Sequence, residues 1–241
     1  MRYAIFADVH SNIEAMEAVE NTLKNKNIDE YFCLGDIVGY GAKPSLCISK
    51  VKSLCSVIVA GNHDWAVAGK FNINYFNIYA KEAVLWTRLN ITEAEKDFLG
   101  SLPLVYQRDD FSLVHSTLIS PEDFDYVLDI PAAEENFKFQ KTKFCFISHS
   151  HAPEIYIADQ NYVFREKTKK INIKENNKYL INIGSVGQPR DKDPKAAYCI
   201  FDTQEETVSI ERVEYDVKKA HDEILEAGLP LVFARRLLEG R

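Results

Sequence analysis

The sequence lacks any run of apolar residues that could cross a membrane, although 46% of its 241 residues are hydrophobic. A transmembrane helix needs roughly 20 consecutive apolar residues, and no stretch of the chain approaches that length. The first strand is predicted at residues 3–7, so we expect no signal peptide ahead of it. The sequence also contains no repeat, linker or low-complexity tract, and a single domain over residues 1–241 is expected.

Positive charge is also scarce, because 29 basic residues face 36 acidic ones and give a net charge of −7. This balance argues against a broad affinity for nucleic acid or for an anionic membrane surface. The basic run at residues 167–174 is expected to lie in a solvated turn between strands. A small phosphorylated substrate is compatible with the acidic charge, because bound metal ions can supply positive charge locally.

The cysteines show no Cys-x-x-Cys spacing, and their number, five, is odd. A disulfide framework is therefore not indicated. Reduced and mostly buried thiols in a cytoplasmic protein are the simplest interpretation of these residues. The five residues are Cys33, Cys47, Cys55, Cys145 and Cys199.

Short apolar runs that end in histidine, aspartate or asparagine recur along the chain. Five of the six histidines follow such a run directly or lie just beyond it. The segment Gly61-Asn62-His63-Asp64, which follows the apolar run 57–60, is the densest example. A buried strand that ends in polar residues delivers them to the edge of a sheet, where ligands bind in α/β folds. The candidate site residues found in this way are Asp8, His10, Asp36, Asn62, His63, His115, His149 and His151.

The pattern of apolar residues over the first 64 residues predicts strand, helix, strand, helix, strand. Ser11 and Glu14 have the spacing of a capping box, and a helix with a buried apolar face is predicted after them. Because strands alternate with helices, we expect a mainly parallel sheet with the polar residues along its C-terminal edge. The predicted buried face of the helix comprises Ile13, Met16, Val19 and Leu23.

Residues 65–103 are predicted to form a helical insert that is rich in aromatic residues. We favour core packing of this insert as the role of its aromatic side chains. The alternative is that one or two of them form a wall of the substrate site. Substrate specificity is expected to lie in this insert and in the loops, not in the metal ligands. The aromatic residues are Trp65, Phe71, Tyr75, Phe76 and Tyr79.

The remainder of the chain is predicted to contribute further strands and two closing helices. Strands at 104–107 and 111–114 form a hairpin that turns at residues 109 and 110. Later strands at 144–147 and 179–183 each lead into a polar motif. Helices at 217–226 and 231–238 close the chain.

The candidate site residues combine carboxylate, imidazole and amide groups, a mixture that suits borderline divalent ions. About seven ligands exceed what one ion takes from a protein, whereas two ions that share a carboxylate would use them all. Two ions about 3.5–4 Å apart are a recurring device for in-line displacement at phosphorus. His149 and His151 fit such a site, because residues i and i+2 of an extended segment lie on the same side. The sequence does not select among Mn, Fe, Zn, Ni and Co.

These motifs, taken in order, resemble those of the calcineurin-like metallophosphoesterase superfamily. The closing segment 182–191 is similar to that of a short prokaryotic branch, whose members are described as phosphodiesterase-like or diadenosine-tetraphosphatase-like. The resemblance implies an α/β fold, a four-layer α-β-β-α sandwich of two mixed sheets, with a dinuclear metal centre. The motifs that carry it are Asp8-x-His10, Gly35-Asp36, Gly61-Asn62-His63-Asp64, His115 and His149-x-His151.

The resemblance also implies a role for each residue of the site. His63 would not be a ligand but would face the phosphoryl group, as general acid for the leaving oxygen or as stabiliser of transition-state charge. Asp64 would orient the imidazole of His63, as carboxylates commonly do. The two metal ions would be held by Asp8, His10 and His151 on one side, by Asn62, His115 and His149 on the other, and by Asp36 as the bridge.

Three positions depart from the usual pattern of this superfamily, and none of them removes a ligand. Ser11 and Ser148 stand where glycine is usual, and Ile183 stands where proline is usual. Because Ser148 adds a side chain at a point of close backbone approach, the geometry beside it is harder to predict.

Three residues are candidates for contact with the substrate. Arg190 could pair with a substrate phosphate, and Tyr40 lies close to Asp36 in the sequence. Asn62 is a candidate in addition to its implied role as a metal ligand. The alternative for the loop that contains Arg190 is a turn held by its own hydrogen bonds.

The leading hypothesis is a metal-dependent phosphoesterase in which a metal-bridging hydroxide attacks phosphorus in line and His63 assists the leaving group. The substrate would be a phosphodiester, a phosphomonoester or a nucleoside polyphosphate. The expected partner is therefore a small phosphorylated molecule, with nucleotides among the candidates. One alternative is a non-catalytic protein-binding scaffold on the same fold, as in the retromer subunit. A nuclease is the other, which the acidic charge and the absence of spare length disfavour.

Overall fold

The computed structural model of the protein describes residues 1–108 and 110–241. Within these residues the chain forms eight α-helices, twelve strands and two short 3-10 turns. The helices are Ile13–Leu23 (α1), Pro44–Leu54 (α2), Asn62–Val67 (α3), Ile78–Leu89 (α4), Glu93–Ser101 (α5), Ile130–Phe139 (α6), Val217–Glu226 (α7) and Leu231–Glu239 (α8). The strands are Arg2–Phe6 (β1), Glu30–Cys33 (β2), Val57–Ile58 (β3), Val105–Gln107 (β4), Phe111–Val114 (β5), Phe144–Ile147 (β6), Glu154–Ala158 (β7), Val163–Glu166 (β8), Lys170–Asn172 (β9), Lys178–Asn182 (β10), Ala196–Asp202 (β11) and Thr207–Val213 (β12).

The strands form two mixed sheets of six strands each. The first sheet has the order β3-β2-β1-β11-β12-β9, and the second has the order β4-β5-β6-β10-β7-β8. Strands β1, β2 and β3 run parallel, with Ile5 opposite Phe32, whereas β11 and β12 are antiparallel. In the second sheet, β5, β6 and β10 run parallel. The parallel arrangement predicted from the sequence therefore holds for the strands that precede the polar motifs.

Alternate residues of β1 face different layers, as the two-residue period of a strand requires. Tyr3 and Ile5 contact the second sheet, whereas Ala4 and Phe6 contact the helices on the outer face. The layer between the sheets is strongly aromatic, and burying each large apolar side chain there contributes about 1.5–3 kcal/mol relative to exposure. Its buried phenylalanines are Phe32, Phe111, Phe144, Phe146 and Phe201.

Helices cover the outer face of each sheet. The apolar face predicted for α1 is buried against the first sheet, and it comprises Ile13, Met16, Val19 and Leu23. Helix α6 packs on the second sheet through Ala133 and Phe137. The layers therefore follow the order helix, sheet, sheet, helix, which confirms the predicted four-layer α-β-β-α sandwich.

Three local predictions differ from the structure. The side chain that caps α1 belongs to Asn12 and not to Ser11, because Asn12 Oδ1 accepts from the Ala15 N–H at 3.0 Å. The basic run 167–174 is not only a turn, since β9 lies within it and pairs antiparallel with β12. Strand β3 has only two residues, so the chain leaves the sheet before Gly61.

The hairpin turn predicted at residues 109 and 110 includes residue 109, which lies outside the described residues.

The segment 65–103 is helical, as predicted, and contains α4, α5 and the last residues of α3. Thr92 caps α5 through its hydroxyl, and Glu95 reaches back to the Thr92 N–H at 2.7 Å. The two predicted closing helices, α7 and α8, pack beside α4. No helix within residues 1–108 and 110–241 combines the length and the apolar character that a membrane span requires.

Candidate metal centre

The polar residues predicted from the sequence meet at one edge of the sandwich, where the parallel strands of both sheets end. Asp8 follows β1, Asp36 follows β2 and Asn62 begins α3, just beyond β3. His10 lies just beyond Asp8, His115 follows β5, and His149 and His151 follow β6. All seven predicted ligands are buried, with exposed fractions of 0–6%. The structure therefore brings together every residue that was predicted to bind metal.

The carboxylate and imidazole groups form two clusters that share Asp36. One consists of Asp8, His10, Asp36 and His151, and the other of Asp36, His115 and His149; in each, the ligand atoms lie within 4.8 Å of one another. Asp36 Oδ2 lies 3.5 Å from His10 Nε2 and 3.4 Å from His115 Nε2. The other oxygen, Oδ1, accepts from the His63 N–H at 2.8 Å. Asp36 is thus fixed by one oxygen and presents the other to both clusters.

The hydrogen bonds of His10 and His151 determine which ring nitrogen carries the hydrogen. His10 Nδ1 lies 3.0 Å from the carbonyl oxygen of Val38, and His151 Nδ1 lies 2.6 Å from that of Gln188. A carbonyl oxygen only accepts, so each Nδ1 is the donor. Burial lowers the pKa of both histidines well below the usual value, which keeps the rings neutral. Each Nε2 atom therefore has a free lone pair and carries no hydrogen.

The two Nε2 lone pairs of His10 and His151 face each other at 3.1 Å. Two acceptors cannot form a hydrogen bond, and both residues are nearly inaccessible to water, with exposed fractions of 1% and 2%. A cation placed between the rings would convert this repulsion into coordination, and neutral imidazole is a common metal ligand. The donor chemistry of this cluster therefore fits a divalent metal ion.

The second cluster also brings two imidazole nitrogens together, but here one of them carries a hydrogen for the other. His115 Nδ1 donates to the Leu34 carbonyl at 2.7 Å, and its Nε2 lies 3.1 Å from His149 Nδ1. Burial opposes protonation of His115, but the charges of Asp36 and Asp8 outweigh it and raise the pKa of His115 to about 9. In the absence of other cations, a proton on His115 is thus the positive charge that the carboxylates attract.

Several buried oxygens at the centre lack a hydrogen-bond partner among the residues that the structure describes. They are both carboxylate oxygens of Asp8 and the Oδ1 atom of Asn62. A buried acceptor without a partner costs about 1–3 kcal/mol. Burial, reinforced by Asp36, also raises the pKa of Asp8 to about 7. Coordination to a cation would satisfy these oxygens and restore the ionised form of Asp8.

The backbone at the centre is strained in a way that the sequence did not predict. Five of the seven predicted ligands have left-handed φ angles of 47–64°, a conformation that costs about 1–3 kcal/mol for residues with a side chain. Aspartate and histidine adopt it more readily than most residues. The five residues are Asp8, His10, Asp36, His149 and His151.

The extended conformation predicted for the segment His149 to His151 is wrong for the same reason. Both residues are left-handed, and their rings reach different partners: His149 contacts His115, whereas His151 contacts His10. The two histidines therefore serve different clusters. An extended segment would have pointed both rings toward one side.

Gly61 is required at this edge because the loops after β2 and β3 pack against each other without space between them. A Cβ atom at Gly61 would lie 2.1 Å from Asp36 Oδ1. Any side chain at this position would therefore displace the carboxylate that both clusters share.

His63 lies at the wall of the cavity beside the clusters, and neither cluster includes it among the described residues. Its ring is 4.9 Å from the ring of His10 and 4.4 Å from that of Tyr40. Its Nδ1 atom has no hydrogen-bond partner within residues 1–108 and 110–241. Burial lowers the pKa of His63 to about 4, so the ring is neutral at pH 7.

The prediction that Asp64 orients the imidazole of His63 is wrong. Asp64 Oδ1 accepts from the N–H groups of Ile37 and Val38 at 2.9 and 3.3 Å, and Oδ2 accepts from the Gly61 N–H at 3.1 Å. Side chains at positions i and i+1 of a helix do not face each other. Asp64 instead ties the start of α3 to the loop that follows β2.

A cavity of about 350 Å³ opens beside the two clusters. Aromatic residues of the insert line it together with residues of the 3-10 turn region near residue 123. Phe71 and Phe76 pack against the core and also face this cavity, so the preferred interpretation as core packing is incomplete. The aromatic lining residues are Phe71, Tyr75, Phe76, Phe124 and Tyr126.

Tyr126 was not singled out in the sequence, yet its ring stacks on His149 with centroids 4.1 Å apart and an angle of 18° between the planes. The stack fixes the orientation of a predicted ligand, as neighbouring groups at metal sites commonly do. Tyr126 lies in an irregular segment, where no periodic pattern marks a residue as special.

All three residues predicted to contact the substrate, Arg190, Tyr40 and Asn62, line the cavity. The Arg190 Nη2 atom donates to Gln188 Oε1 at 3.0 Å and lies 3.4 Å from the Tyr40 hydroxyl. A second arginine, Arg236 of α8, lines the same cavity and was missed. From the sequence it is one polar residue of an amphipathic helix, which carries no signal of a site.

The chain is similar to a protein family and to several known proteins. A profile of the calcineurin-like phosphoesterase superfamily domain matches residues 1–206. The chain is 42% identical over 242 residues to an uncharacterized protein of Methanocaldococcus jannaschii, covering 99% of this chain and 98% of that protein. A metallophosphoesterase structure from Sphaerobacter thermophilus has a TM-score of 0.87 and 34% identity, covering 100% of this chain and 99% of the other.

A hypothetical protein from Pyrococcus horikoshii OT3 shares the fold at 19% identity, with a TM-score of 0.80 over 100% of this chain and 98% of the other. The profile match covers most of the sequence, and it includes all seven predicted ligands together with His63. The chain belongs to the calcineurin-like phosphoesterase superfamily.

Proposed function

We propose that the protein is a metal-dependent phosphoesterase that binds two divalent ions and hydrolyses a small phosphorylated molecule. The observation that supports this most strongly is the 3.1 Å contact between the unprotonated Nε2 atoms of His10 and His151. The second group of possible ligands, which contains His115 and His149, and the single carboxylate shared by both clusters support two ions over one.

Each ion would be held by ligands that the fold already fixes. The hydrogen bonds from Nδ1 to backbone carbonyls set the ring orientation of three histidines before any metal binds. Asp36, which lies close to a histidine of each cluster, would be the ligand shared by the two ions. The first ion would take Asp8, His10 and His151, and the second would take Asn62, His115 and His149.

When bound, the two ions would lower the pKa of a coordinated water molecule and neutralise charge on the phosphoryl oxygens. His63 would assist departure of the leaving oxygen by donating a hydrogen to it. At pH 7 its ring is neutral, and a phosphate anion brought into the cavity would raise the pKa of His63 toward the range of a general acid. Arg190 would pair with a phosphate oxygen.

The substrate class follows from the cavity and the charge. A volume of about 350 Å³ suits a small molecule, and the net charge of −7 disfavours long nucleic acids. A phosphodiester, a phosphomonoester or a nucleoside polyphosphate fits these limits. All five cysteines are unpaired, which supports a reducing compartment such as the cytoplasm.

The proposal is tested by hydrolysis of bis-p-nitrophenyl phosphate and p-nitrophenyl phosphate by the protein supplied with Mn²⁺. We expect turnover that a chelator abolishes and that fails to appear in the variant Asp36→Asn. The variant His63→Ala should retain bound metal but lose about 10²–10⁴-fold in kcat. Unchanged activity in both variants would refute the mechanism.

A non-catalytic scaffold would give a different result. Such a protein would show no hydrolysis of either ester with any divalent ion, and His63→Ala would change neither metal content nor binding of partners. A nuclease would instead cleave single-stranded DNA at physiological salt, which the acidic charge argues against.

A further inference from the structure

We propose that Arg236 and Arg190 form a second anion-binding subsite, which makes the protein prefer substrates with a second phosphate next to the scissile one. This inference deepens the proposed phosphoesterase function and rests on it for the identity of the scissile phosphate. The subsite lies in the cavity beside the metal clusters, where both guanidinium groups are lining groups.

The position of Arg236 is set by the packing of α8 on the loop that follows β2. Phe233, one turn earlier on the same face of α8, is buried, and its ring lies 4.6 Å from that of Tyr40. Residues three apart on a helix share a face, so Arg236 extends from this contact toward the cavity. The Arg190 guanidinium lies 5.8 Å from the centre of the same Tyr40 ring. Arg190 contacts Tyr40 directly, and Arg236 lines the same cavity from the helix that packs on Tyr40.

The two arginines bring positive charge into a partly enclosed space without a matching carboxylate. Within residues 1–108 and 110–241, neither guanidinium lies within 4.0 Å of a carboxylate oxygen, although most other arginines described here have such a partner. Asp123 and Asp125 line the cavity as well but form no ion pair with either arginine. Burial and the neighbouring charge of Arg190 lower the pKa of Arg236. An anion bound between them would relieve this repulsion.

A single phosphate does not account for both arginines. The scissile phosphate belongs against the metal clusters and His63, and the sequence suggested Arg190 only as a contact for a substrate phosphate. Arg236 enters from a helix beyond residue 206, where the superfamily profile ends. A second phosphate joined to the first would reach Arg236 while the first remains at the clusters. Phosphoanhydrides and closely spaced bisphosphates have this form.

The exposed aromatic wall gives such a substrate a place for its remaining part. Tyr75 is 79% exposed, and Phe71 and Phe76 present their rings to the same cavity. Aromatic rings and arginine planes bind flat, unsaturated groups by stacking, with little selectivity among them. The arginine subsite therefore selects for the number of phosphates, and the wall accepts the organic group.

The test measures binding by calorimetry with methylenediphosphonate and with methylphosphonate, using Mn²⁺-loaded protein. Neither probe contains an ester that the protein could hydrolyse. Arg236→Gln removes the proposed contact, and Arg236→Lys retains its charge. Arg235→Gln is the matched control, because Arg235 is the exposed neighbour on α8 and is not among the cavity-lining residues.

We expect the unmodified protein to bind methylenediphosphonate at least tenfold more tightly than methylphosphonate. Arg236→Gln should weaken the binding of methylenediphosphonate about tenfold, which is the effect of losing one charge-assisted hydrogen bond. The affinity for methylphosphonate should change less than about twofold. Arg236→Lys should recover part of the loss, and Arg235→Gln should leave both affinities unchanged.

Three results would overturn the proposal. The variant Arg236→Gln could lose affinity equally for both probes, or lose affinity for neither. The third result is that the unmodified protein fails to bind methylenediphosphonate more tightly than methylphosphonate. The binding result is separate from catalysis. If no ester is hydrolysed but binding depends on Arg236, the phosphoesterase function fails and the subsite stands. If esters are hydrolysed but binding does not depend on Arg236, the phosphoesterase function stands and the subsite fails.

Discussion

The Nε2 atoms of His10 and His151 lie 3.1 Å apart, and the hydrogen bonds of the two rings leave neither atom with a hydrogen to share. One ring follows β1 of the first sheet and the other follows β6 of the second. The fold of the sandwich therefore holds two acceptors in contact. This relationship connects the fold to the proposed metal chemistry.

Removal of metal is expected to lower thermal stability. An ion present at about 100 times its dissociation constant contributes about 2.7 kcal/mol to the native state. For a chain of this size, that corresponds to a fall in Tm of about 5–10 °C on chelation. Differential scanning calorimetry with Mn²⁺ and with EDTA measures it. The variant His151→Ala should show a much smaller shift, and an equal shift in that variant would contradict the assigned ligands.

Gly39→Ala is expected to reduce kcat without removing metal. Gly39 has φ of +95°, and a Cβ atom there would lie 2.4 Å from His63 Nδ1. The imidazole would have to move, and a shift of about 1 Å at a catalytic group costs about 10²-fold in rate. Steady-state kinetics and metal analysis of the same sample separate the two effects. The idea fails if kcat is unchanged, or if metal is lost in proportion to activity.

Asp64→Asn is expected to destabilise the fold. Asp64 accepts hydrogen bonds from three buried backbone N–H groups, and an amide offers only one acceptor oxygen. We expect a loss of about 1–3 kcal/mol in the free energy of unfolding, measured with urea. Asp97→Asn, at an exposed position of α5, is the control. Unchanged stability together with an altered pH–rate profile would favour the discarded role beside His63.

The ion pair between Glu30 and Arg108 predicts a pH-dependent contribution to stability. Hydrogen bonds from Arg108 at 2.8 and 3.1 Å lower the pKa of Glu30 below its usual 4.5. A carboxyl whose folded pKa is depressed adds stability above the unfolded pKa and loses it as the pH falls through the folded pKa. Glu30→Gln should therefore cost about 0.5–1 kcal/mol at pH 7 and less as the pH falls below 4.5.

That comparison is made by urea unfolding of the unmodified protein and the variant at pH 7 and at pH 3.5. A deficit in Glu30→Gln of the same size at both values would show that ionisation of Glu30 is not its cause. A deficit that grows toward low pH would contradict the sign of the shift.

The sequence was sufficient for the elements that depend on local pattern. The apolar face of α1 was correct in all four residues because helical periodicity alone determines it. The ligands were found because each follows a buried strand, and strand ends are visible as a change from apolar to polar residues. The parallel strands then bring those ends to one edge.

The conformation at the strand ends could not be predicted from the sequence. The left-handed angles of Asp36 and His149 are imposed by contacts between loops that are distant in the chain, as the fit of Gly61 against Asp36 illustrates. The same applies to Asp64, whose partners Ile37 and Val38 lie 27 and 26 residues away.

Arg236 was missed for a related reason. It lies 46 residues beyond Arg190, on a helix whose pattern indicates only that one face is buried. Arg236 lines the same cavity as Arg190 because Phe233 packs against Tyr40. That packing is a tertiary contact. Short-range pattern carries no information about such a pairing.

The most direct test of the two-ion centre is the metal content of the protein after equilibrium dialysis against Mn²⁺, measured by inductively coupled plasma mass spectrometry. Two ions per chain are expected for the unmodified protein, and one or none for Asp36→Asn, because the shared carboxylate is lost. His63→Ala should keep both ions. A protein that binds no metal, or an Asp36→Asn variant that still binds two ions, would contradict the account.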